Sequence, residues 1–350
     1  MKKLGVIFGG MSTENKVSCV SGASVIRNLN KEKYEIFPIF IDENGNWFKV
    51  KMQADGEIKI DDKEQIENIV EYIKQMDVIF PVLHGLYGED GTIQGLFELL
   101  KIPYVGCGVL ASSIGMDKVY TKIIFDKAEI NQTKYVYIRK CDDKYIYVDD
   151  SFNEKIMELN EVSDLVTEKL NFPMFVKPSN SGSSVGVKKA NDVNELKLAI
   201  ENASKYDRKI IIEEGIKGKE VECAILEKKD EIIASTVGEI KSAEEFYSFD
   251  AKYNIPNSQT IIPAKIEKNL IEEIQKNAIK AFKSIDGRGL ARVDFFIEEG
   301  TNNIYINEIN TMPGFTKISM YPKLFESDKI SYSELLDILI NYAINKFDFT

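Results

Sequence analysis

The sequence predicts a chain of mixed class, α/β at its amino-terminal end and α+β beyond it, and three observations carry that expectation. The first is a short apolar strand, Leu4 to Phe8, that runs into Gly9-Gly10 and then into a helical stretch from Ser12 to about Asn28. Strand, glycine turn and helix open an α/β unit. The second is a pair of apolar, β-branched runs, Ala291 to Ile297 and Ile304 to Ile309, that read as neighbouring strands. The third is length, because 350 residues exceed a typical single core and imply two or three domains.

A hydrophobic fraction of 44% is that of ordinary globular packing. The net charge of -11 argues against a broad nucleic-acid footprint, since phosphate backbones bind basic stripes. Any anionic ligand must then meet locally placed Lys, Arg and backbone N–H groups. The start MKKLGVIFGG carries two lysines and a short apolar run, but Gly9 and Gly10 break it before signal-peptide length. No run reaches the ~18 apolar residues of a membrane span, so a cytoplasmic protein without membrane contact is expected. Cys19, Cys107, Cys141 and Cys223 lack metal-ligand spacing and read as free thiols.

In the first unit, Glu14 and Ser18 lie four apart at the start of the expected helix, so they share a face and can point into a cleft above the sheet edge. The alternative is capping, with Ser12 as N-cap and a first-turn acid. Tyr34 to Ile41 reads as a second strand, Asn44-Gly45 as a tight turn leading to Trp47, and Lys63 to Gln75 as a helix. Asp77 to Leu83 is a buried strand ending at His84, the only histidine of the chain. Open α/β sheets bind ligands at such carboxyl ends, although a lone histidine equally serves structure. Glu89, Asp90 and Gly91 read as a helix start before the amphipathic run Thr92 to Leu100. Ile102 to Val105 closes this unit.

A helix with Lys118 and Lys122 on one face opens the next unit, and Lys140 to Lys155 reads as a peripheral hairpin. In Phe172 to Gly186 a strand delivers Lys177 to an interior position, Pro178 stops it, and Gly182-Ser183-Ser184-Val185-Gly186 offers backbone N–H groups around an anion. This is not a GxxxxGK[ST] loop and no helix follows it directly, so it suits a strand-to-strand lid over phosphates or a plain hairpin turn. Asp192 caps an expected helix to Tyr206. The strand from Lys209 ends in Glu213-Glu214-Gly215-Ile216, an edge whose main chain can read an adenine, and Glu220 can accept both ribose hydroxyls. Glu220 to Leu226 and Ile232 to Val237 read as further strands. Lys241 to Ala264 lacks periodicity but carries Phe246, Tyr247, Phe249 and Tyr253, which argues for a loop that docks onto something. A helix from Asn269 to Ile285 precedes the two apolar strands, and one over Ser331 to Phe347 follows them.

Those two strands carry Asp294, Glu308 and Asn310. Oxygen-only ligands on rigid strands suit Mg²⁺, which takes its remaining oxygens from water and nucleotide phosphates, so the segment reads as the floor of an ATP site. A hairpin whose acids face solvent is the alternative, disfavoured because unpaired acids in an apolar strand cost free energy.

The motifs GGMSTENKVS, HGLYGEDGTIQG, MDKVYTK, FVKPSNSGSSVG, EEGIKGKEVE, FYSFDAKY, ARVDFF and NEINTMPGFTKISMYP stand in one order along the chain. Together they resemble the D-alanine-D-alanine ligases of the ATP-grasp superfamily. The resemblance covers essentially the whole chain and implies a three-domain ATP-grasp architecture with an amino-terminal doubly wound parallel sheet, divided at 1–106, 107–212 and 213–350. It implies that Lys118 and Lys177 hold ATP phosphates under a lid containing Gly182, Ser184 and Val185. Glu213, Glu214 and Ile216 would meet the adenine and Glu220 the ribose, with Asp294, Glu308 and Asn310 on two Mg²⁺ ions or Mn²⁺ in their place. Glu14 would receive the ammonium of the first D-alanine, with Ser183 and Tyr253 as its partners and His84 and Lys252 in the substrate pocket. Arg292 and the Gly314 N–H would be oxyanion donors, and Ser319 and Met320 would receive the carboxylate of the second amino acid. A homodimer is also implied.

Four departures stand out. Asn15 occupies a position where relatives often carry His or Arg, and Asn180-Ser181 replaces a charged pair of the lid. Met320 is apolar where some D-serine or D-lactate relatives carry Arg, and the aromatic loop has no histidine. Both latter features favour D-alanine as second substrate, with a D-alanine-D-serine ligase of the resistance type as the alternative.

Overall fold

The computed structural model describes residues 1–53, 58–229, 231–241 and 259–347. Strand β1 (Lys2–Gly9) is buried from Leu4 to Gly9, as an apolar run covered on both faces must be. It pairs in parallel with β2 (Tyr34–Ile41). Asp42 then accepts hydrogen bonds from the Asn44 and Asn46 N–H groups around left-handed Gly45, and the chain returns as β3 (Trp47–Met52), antiparallel to β2. Beyond it lies β4 (Ile58–Gln65), and β5 (Val78–Pro81) is parallel to β1 on the other side. The order β4-β3-β2-β1-β5 corrects the expectation of a parallel amino-terminal sheet: the hairpin turn makes it mixed, parallel only across β2-β1-β5.

The helix expected over Lys63 to Gln75 is corrected as well. Its first residues end β4, where the Lys63 ammonium lies 4.4 Å from the Phe48 ring and 5.1 Å from the Phe40 ring, and a short helix follows at Ile69–Ile73. Packing of that stem on the sheet's aromatics overrides the local helical pattern.

The second sheet, β10-β9-β11-β6-β7-β8, is antiparallel throughout. It contains β6 (Tyr135–Cys141), β7 (Lys144–Val148), β8 (Glu154–Met157), β9 (Met174–Pro178), β10 (Lys188–Ala190) and β11 (Lys209–Glu214). The expected peripheral hairpin is its β7-β8 edge. Helix Val193–Ala203 begins at Asp192, whose side chain accepts from the Asn194 and Glu195 N–H groups, and buries Leu196, Ala199 and Ile200. Glu213 and Glu214 still pair with Phe175 and Met174, so a boundary drawn between 212 and 213 falls inside β11.

The third sheet, β14-β13-β12-β15-β16, carries the candidate metal strands. Here β12 is Gly218–Lys228, β13 Glu231–Lys241, β14 Gln259–Ile261, β15 Leu290–Glu298 and β16 Ile304–Asn310. Helix Lys268–Ser284 lays Leu270, Ile274, Ala278 and Phe282 against it, the stripe that the sequence predicts. Helices Met320–Ser327 and Tyr332–Phe347 bury Leu324, Phe325, Leu336 and Ile340 in one core with Leu4, Val6 and Phe8 of the first sheet. The first and third sheets are thus joined by a shared apolar core.

Phe315 anchors the loop after β16 in that core. It is fully buried, with its ring centroid 5.4 Å from those of Phe80 and Tyr321. Burying such a side chain contributes about 1.5–3 kcal/mol, enough to fix the neighbouring Met312 to Gly314 backbone.

Candidate active site

A cavity of about 690 Å³ opens where the three sheets meet. It is lined by Glu14 and His84 of the first unit, Lys118, Lys177, Gly182, Ser183 and Ser184 of the second, and Glu213, Glu214, Ile216, Glu220, Arg292, Glu308, Asn310, Gly314, Ser319 and Met320 of the strands and loops that follow. Of the expected site residues that are described, Val185 and Asp294 do not line it. Val185 turns its carbonyl to the Ser181 hydroxyl, and Asp294 lies buried behind Arg292. Lys252 and Tyr253, with the rest of the aromatic loop, lie outside the described residues.

At one end, β9 and β11 set Lys177 beside Glu213, with Nζ 2.6 Å from Oε2. Lys122, from helix Lys118–Lys127, approaches the other oxygen of Glu213 at 3.3 Å. Burial pushes the Glu213 carboxyl up, but the charges of Lys122 and Lys177 outweigh it and bring it down to about 2. The Glu213 side chain therefore serves two lysines while lining the cavity. Glu214 accepts from the Asn171 main chain at 2.8 Å and side chain at 2.9 Å. Lys118 donates to the Ser181 carbonyl at 2.6 Å and ties the helix to the glycine loop. Asn180 donates twice to Asp207 at 2.8 Å and pins the base of that loop.

The glycine loop meets Glu14 directly. Ser183 and Ser184 adopt left-handed φ values of 48° and 60°, and the Ser183 hydroxyl donates to a Glu14 oxygen. A Cβ at position 182 would stand 2.5 Å from the other Glu14 oxygen, so a larger residue there would push the Glu14 carboxylate out of this position. The helix expected from Ser12 begins at Asn15, with Glu14 in the N-cap position but no cap hydrogen bond from its side chain. Ser12 is not its N-cap residue, although the Ser12 hydroxyl accepts from the Glu14 N–H at 3.2 Å. Its hydroxyl donates to the His84 carbonyl at 2.6 Å, and Ser18, expected beside Glu14 in the cleft, instead bridges Gly9 and Val82 inside the sheet. Asn15 holds the turn by donating to the Gly10 carbonyl at 2.6 Å.

His84 uses both ring nitrogens. Nδ1 donates to the Met312 carbonyl at 3.2 Å and Nε2 accepts from Ser21 Oγ at 2.9 Å. Burial keeps its pKa below the usual imidazole value, consistent with this neutral form. Glu89, read from the sequence only as a helix start, is a half-buried side chain accepting from the Gly85 N–H at 2.8 Å and the Met312 N–H at 3.2 Å. Burial and the Glu14 charge push it up to about 8 against those donors. His84 and Glu89 together grip both polar backbone groups of Met312.

Across β12, β15 and β16, Asp294 stands opposite Glu222 on one side and Glu308 on the other, with Arg292 opposite Asn310. Arg292 donates two bonds of 2.7 Å to Asp294, and its Nε lies 3.0 Å from Glu222. Asn310 Nδ2 donates to Asp294 at 3.1 Å. Burial opposes the Arg292 charge, but Asp294 and Glu222 outweigh it and raise its pKa well above the usual value. Glu222 was missed from the sequence, although its spacing from Glu220 puts it on the same strand face. No group of three His, Cys, Asp or Glu residues forms a cation cage among the described residues, because Asp294 is turned to Arg292. Gly314 closes the site: a Cβ there would meet Ser319 Oγ at 2.7 Å.

Two family models match the chain, "D-ala D-ala ligase N-terminus" over residues 3–107 and "D-ala D-ala ligase C-terminus" over residues 124–341. A D-alanine–D-alanine ligase of Acetivibrio thermocellus is 48% identical, covering 99% of this chain and 97% of its own. Among solved structures, the VanG D-Ala:D-Ser ligase from Enterococcus faecalis aligns with a TM-score of 0.80 at 34% identity, over 98% of this chain and 99% of its own. The D-alanine–D-alanine ligase from Bacillus anthracis complexed with ATP aligns with a TM-score of 0.76 at 30% identity, over 100% and 99%. With both family models matched and a near-complete relative at 48% identity, this chain belongs to the D-alanine–D-alanine ligase family.

Proposed function

We propose that the chain joins two D-alanine molecules at the expense of ATP, through a D-alanyl phosphate, to supply the dipeptide of a peptidoglycan precursor. The single observation that carries this reading is the convergence in one cavity of Lys118 and Lys177, the Glu14–Ser183 pair, and Arg292 with Glu308 and Asn310. The family relationship supports it.

Lys118, Lys177 and the N–H groups of the glycine loop hold the phosphates, beside a strand edge at Glu214 to Ile216 for the adenine and Glu220 for the ribose. Val185 takes part through the shape of the loop and not as a lining residue. Glu14 receives the ammonium of the first D-alanine and Ser183 fixes the orientation of the Glu14 carboxylate. The carboxylate oxygen of that amino acid attacks the γ-phosphorus and ADP leaves. The free amine of the second D-alanine then attacks the acyl carbon, inorganic phosphate leaves, and the nitrogen loses a proton. Arg292 and the Gly314 N–H stabilise the oxyanion between those events, a contribution of about 2.7–4 kcal/mol per donor. His84 and Glu89 hold the Met312 backbone and so keep Gly314 in place, while the second carboxylate meets Ser319 and the N-terminal turn at Met320.

The donor set fits hard divalent cations: Glu308 and Asn310 line the cavity, and Asp294 joins them once it yields one of its two bonds to Arg292. Two Mg²⁺ ions, or Mn²⁺, would be held there and would screen phosphate charge from the attacking carboxylate. Glu222 then remains as partner for Arg292. Tyr253 and Lys252 belong to this reading as contacts from the aromatic loop.

The second substrate is tested by incubating pure protein with ATP, Mg²⁺ and mixed D-alanine and D-serine, and weighing the products by mass spectrometry. D-Alanyl-D-alanine is expected. Absence of any dipeptide sinks the ligase reading, and a dominant D-alanyl-D-serine product supports the alternative that the likeness to the VanG ligase brings in. The chain is further read as a cytoplasmic homodimer. No helix of the described residues is long and apolar enough to cross a membrane, and light scattering on the purified protein measures the assembly.

A further inference from the structure

Lys122 is absent from the mechanism above, yet its position is expensive. Its side chain is 3% exposed, and burial pulls its pKa down against the pull of Glu213. Its other direct contacts are neutral, Thr133 Oγ1 at 3.3 Å, Gln132 Oε1 at 3.5 Å and the Tyr135 ring at 5.3 Å, while the charge of Lys177 works against its own and that of Asp126 gives a lesser support than Glu213. What retains it as a cation is Glu213, which it shares with Lys177. The two lysines differ in one respect. Lys177 lines the cavity and Lys122 does not.

A buried carboxylate left without a cation is strongly unfavourable, and that cost falls on any movement that takes Lys177 away. With Lys177 alone at Glu213, every contact between Lys177 and a phosphate would have to be made against that cost. With a second lysine behind the carboxylate, the cost is removed before ligand arrives. The geometry also provides the right asymmetry, since the interior lysine is held on a helix whose N-cap side chain, Asp117, accepts from the Val119 and Tyr120 N–H groups, whereas Lys177 stands next to the last residue of β9 and lines the cavity.

We propose that Lys122 is a positioning residue that frees Lys177 for ATP: it stays at Glu213 as the permanent counter-ion while Lys177 turns to the phosphates. The inference rests on the reading of Lys177 as a phosphate contact. It assigns Glu213 a role as the pivot of a two-lysine exchange, distinct from adenine recognition.

The test measures ATP dissociation constants and steady-state constants for the full chain and for Lys122→Met, Lys122→Arg and Lys122→Met with Glu213→Gln. Lys122→Met is expected to weaken ATP about ten- to a hundredfold while KM for D-alanine stays within about twofold. Lys122→Arg keeps the charge and restores most of the affinity. The double variant binds ATP better than Lys122→Met alone, because no buried carboxylate then pins Lys177. Should Lys122→Met fail to fold, Lys122→Gln removes the charge and keeps a polar group beside Gln132 and Thr133, and the same weakening is expected. Unchanged ATP affinity in a folded charge-removed variant overturns the proposal alone, as does equal weakening of ATP and D-alanine. Failure of the unsubstituted chain to bind ATP overturns the phosphate-site reading and the proposal with it.

Discussion

The two ends of the cavity solve opposite electrostatic problems. At the Glu213 end two lysines surround one carboxylate, leaving a cation in excess that faces the opening. At the Arg292 end one guanidinium meets Glu222 and Asp294, with Glu308 paired across from Asp294, leaving carboxylates in excess. The first end is complete for an anion as it stands. The second is complete only for a cation. On the proposed reading, a site for a polyphosphate and metal ions need not be uniformly basic, which is how a chain of net charge -11 could serve such a ligand.

The comparison breaks most decisively at Glu308. Glu308→Gln keeps the shape and removes charge from the acidic end, and kcat should fall by about a thousandfold with little change in melting temperature. ADP release in a coupled assay checks this, and near-normal turnover would refute the cation-binding assignment. Arg292→Lys should cost about a hundredfold in kcat, because a lysine cannot hold Asp294 with two bonds and still reach Glu222 and an oxyanion. A loss confined to KM would remove Arg292 from the oxyanion site.

Smaller effects separate the amino-acid pocket from both charged ends. Ser183→Ala removes the hydroxyl that orients Glu14, and KM for the first D-alanine should rise about tenfold while the ATP constant holds. Equal changes in both constants would show that the serine matters only for loop structure. The smallest effect concerns Glu89, whose folded pKa of about 8 lies above its unfolded value. A raised pKa means stability present at low pH is lost as pH rises toward 8. Glu89→Gln lacks that titration, so its melting temperature relative to the parent chain should climb from about pH 5 to about pH 8 and then level off. A flat difference across that range would show that Glu89 is not held protonated.

Much of this was legible from residues alone. The helix Thr92–Leu100 and the stripe of Lys268–Ser284 follow from apolar spacing, and the strands carrying Asp294 and Glu308 follow from β-branched runs. The mixed hairpin of the first sheet was not, because Lys63 and its neighbours look helical until Phe40 and Phe48 are placed beneath them. Ser12 and Ser18 were misplaced for a similar reason. A hydroxyl near a helix start looks like a cap, as at Ser12, and one a turn further on like a cleft residue, as at Ser18, and only the approach of the His84 and Val82 carbonyls shows where each donates.

The sequence by itself determined the chemistry on offer: which strands exist, which acids and lysines interrupt them, and which glycines leave room for a close neighbour. Tertiary structure decided which charges are buried and with whom. Lys122 and Glu222 each look like solvated surface groups in their own segments, and each is buried only because a distant segment packs over it. Propensity and periodicity act over a few residues, whereas desolvation depends on what the rest of the chain brings alongside, so the charge state of a side chain is settled only by the fold.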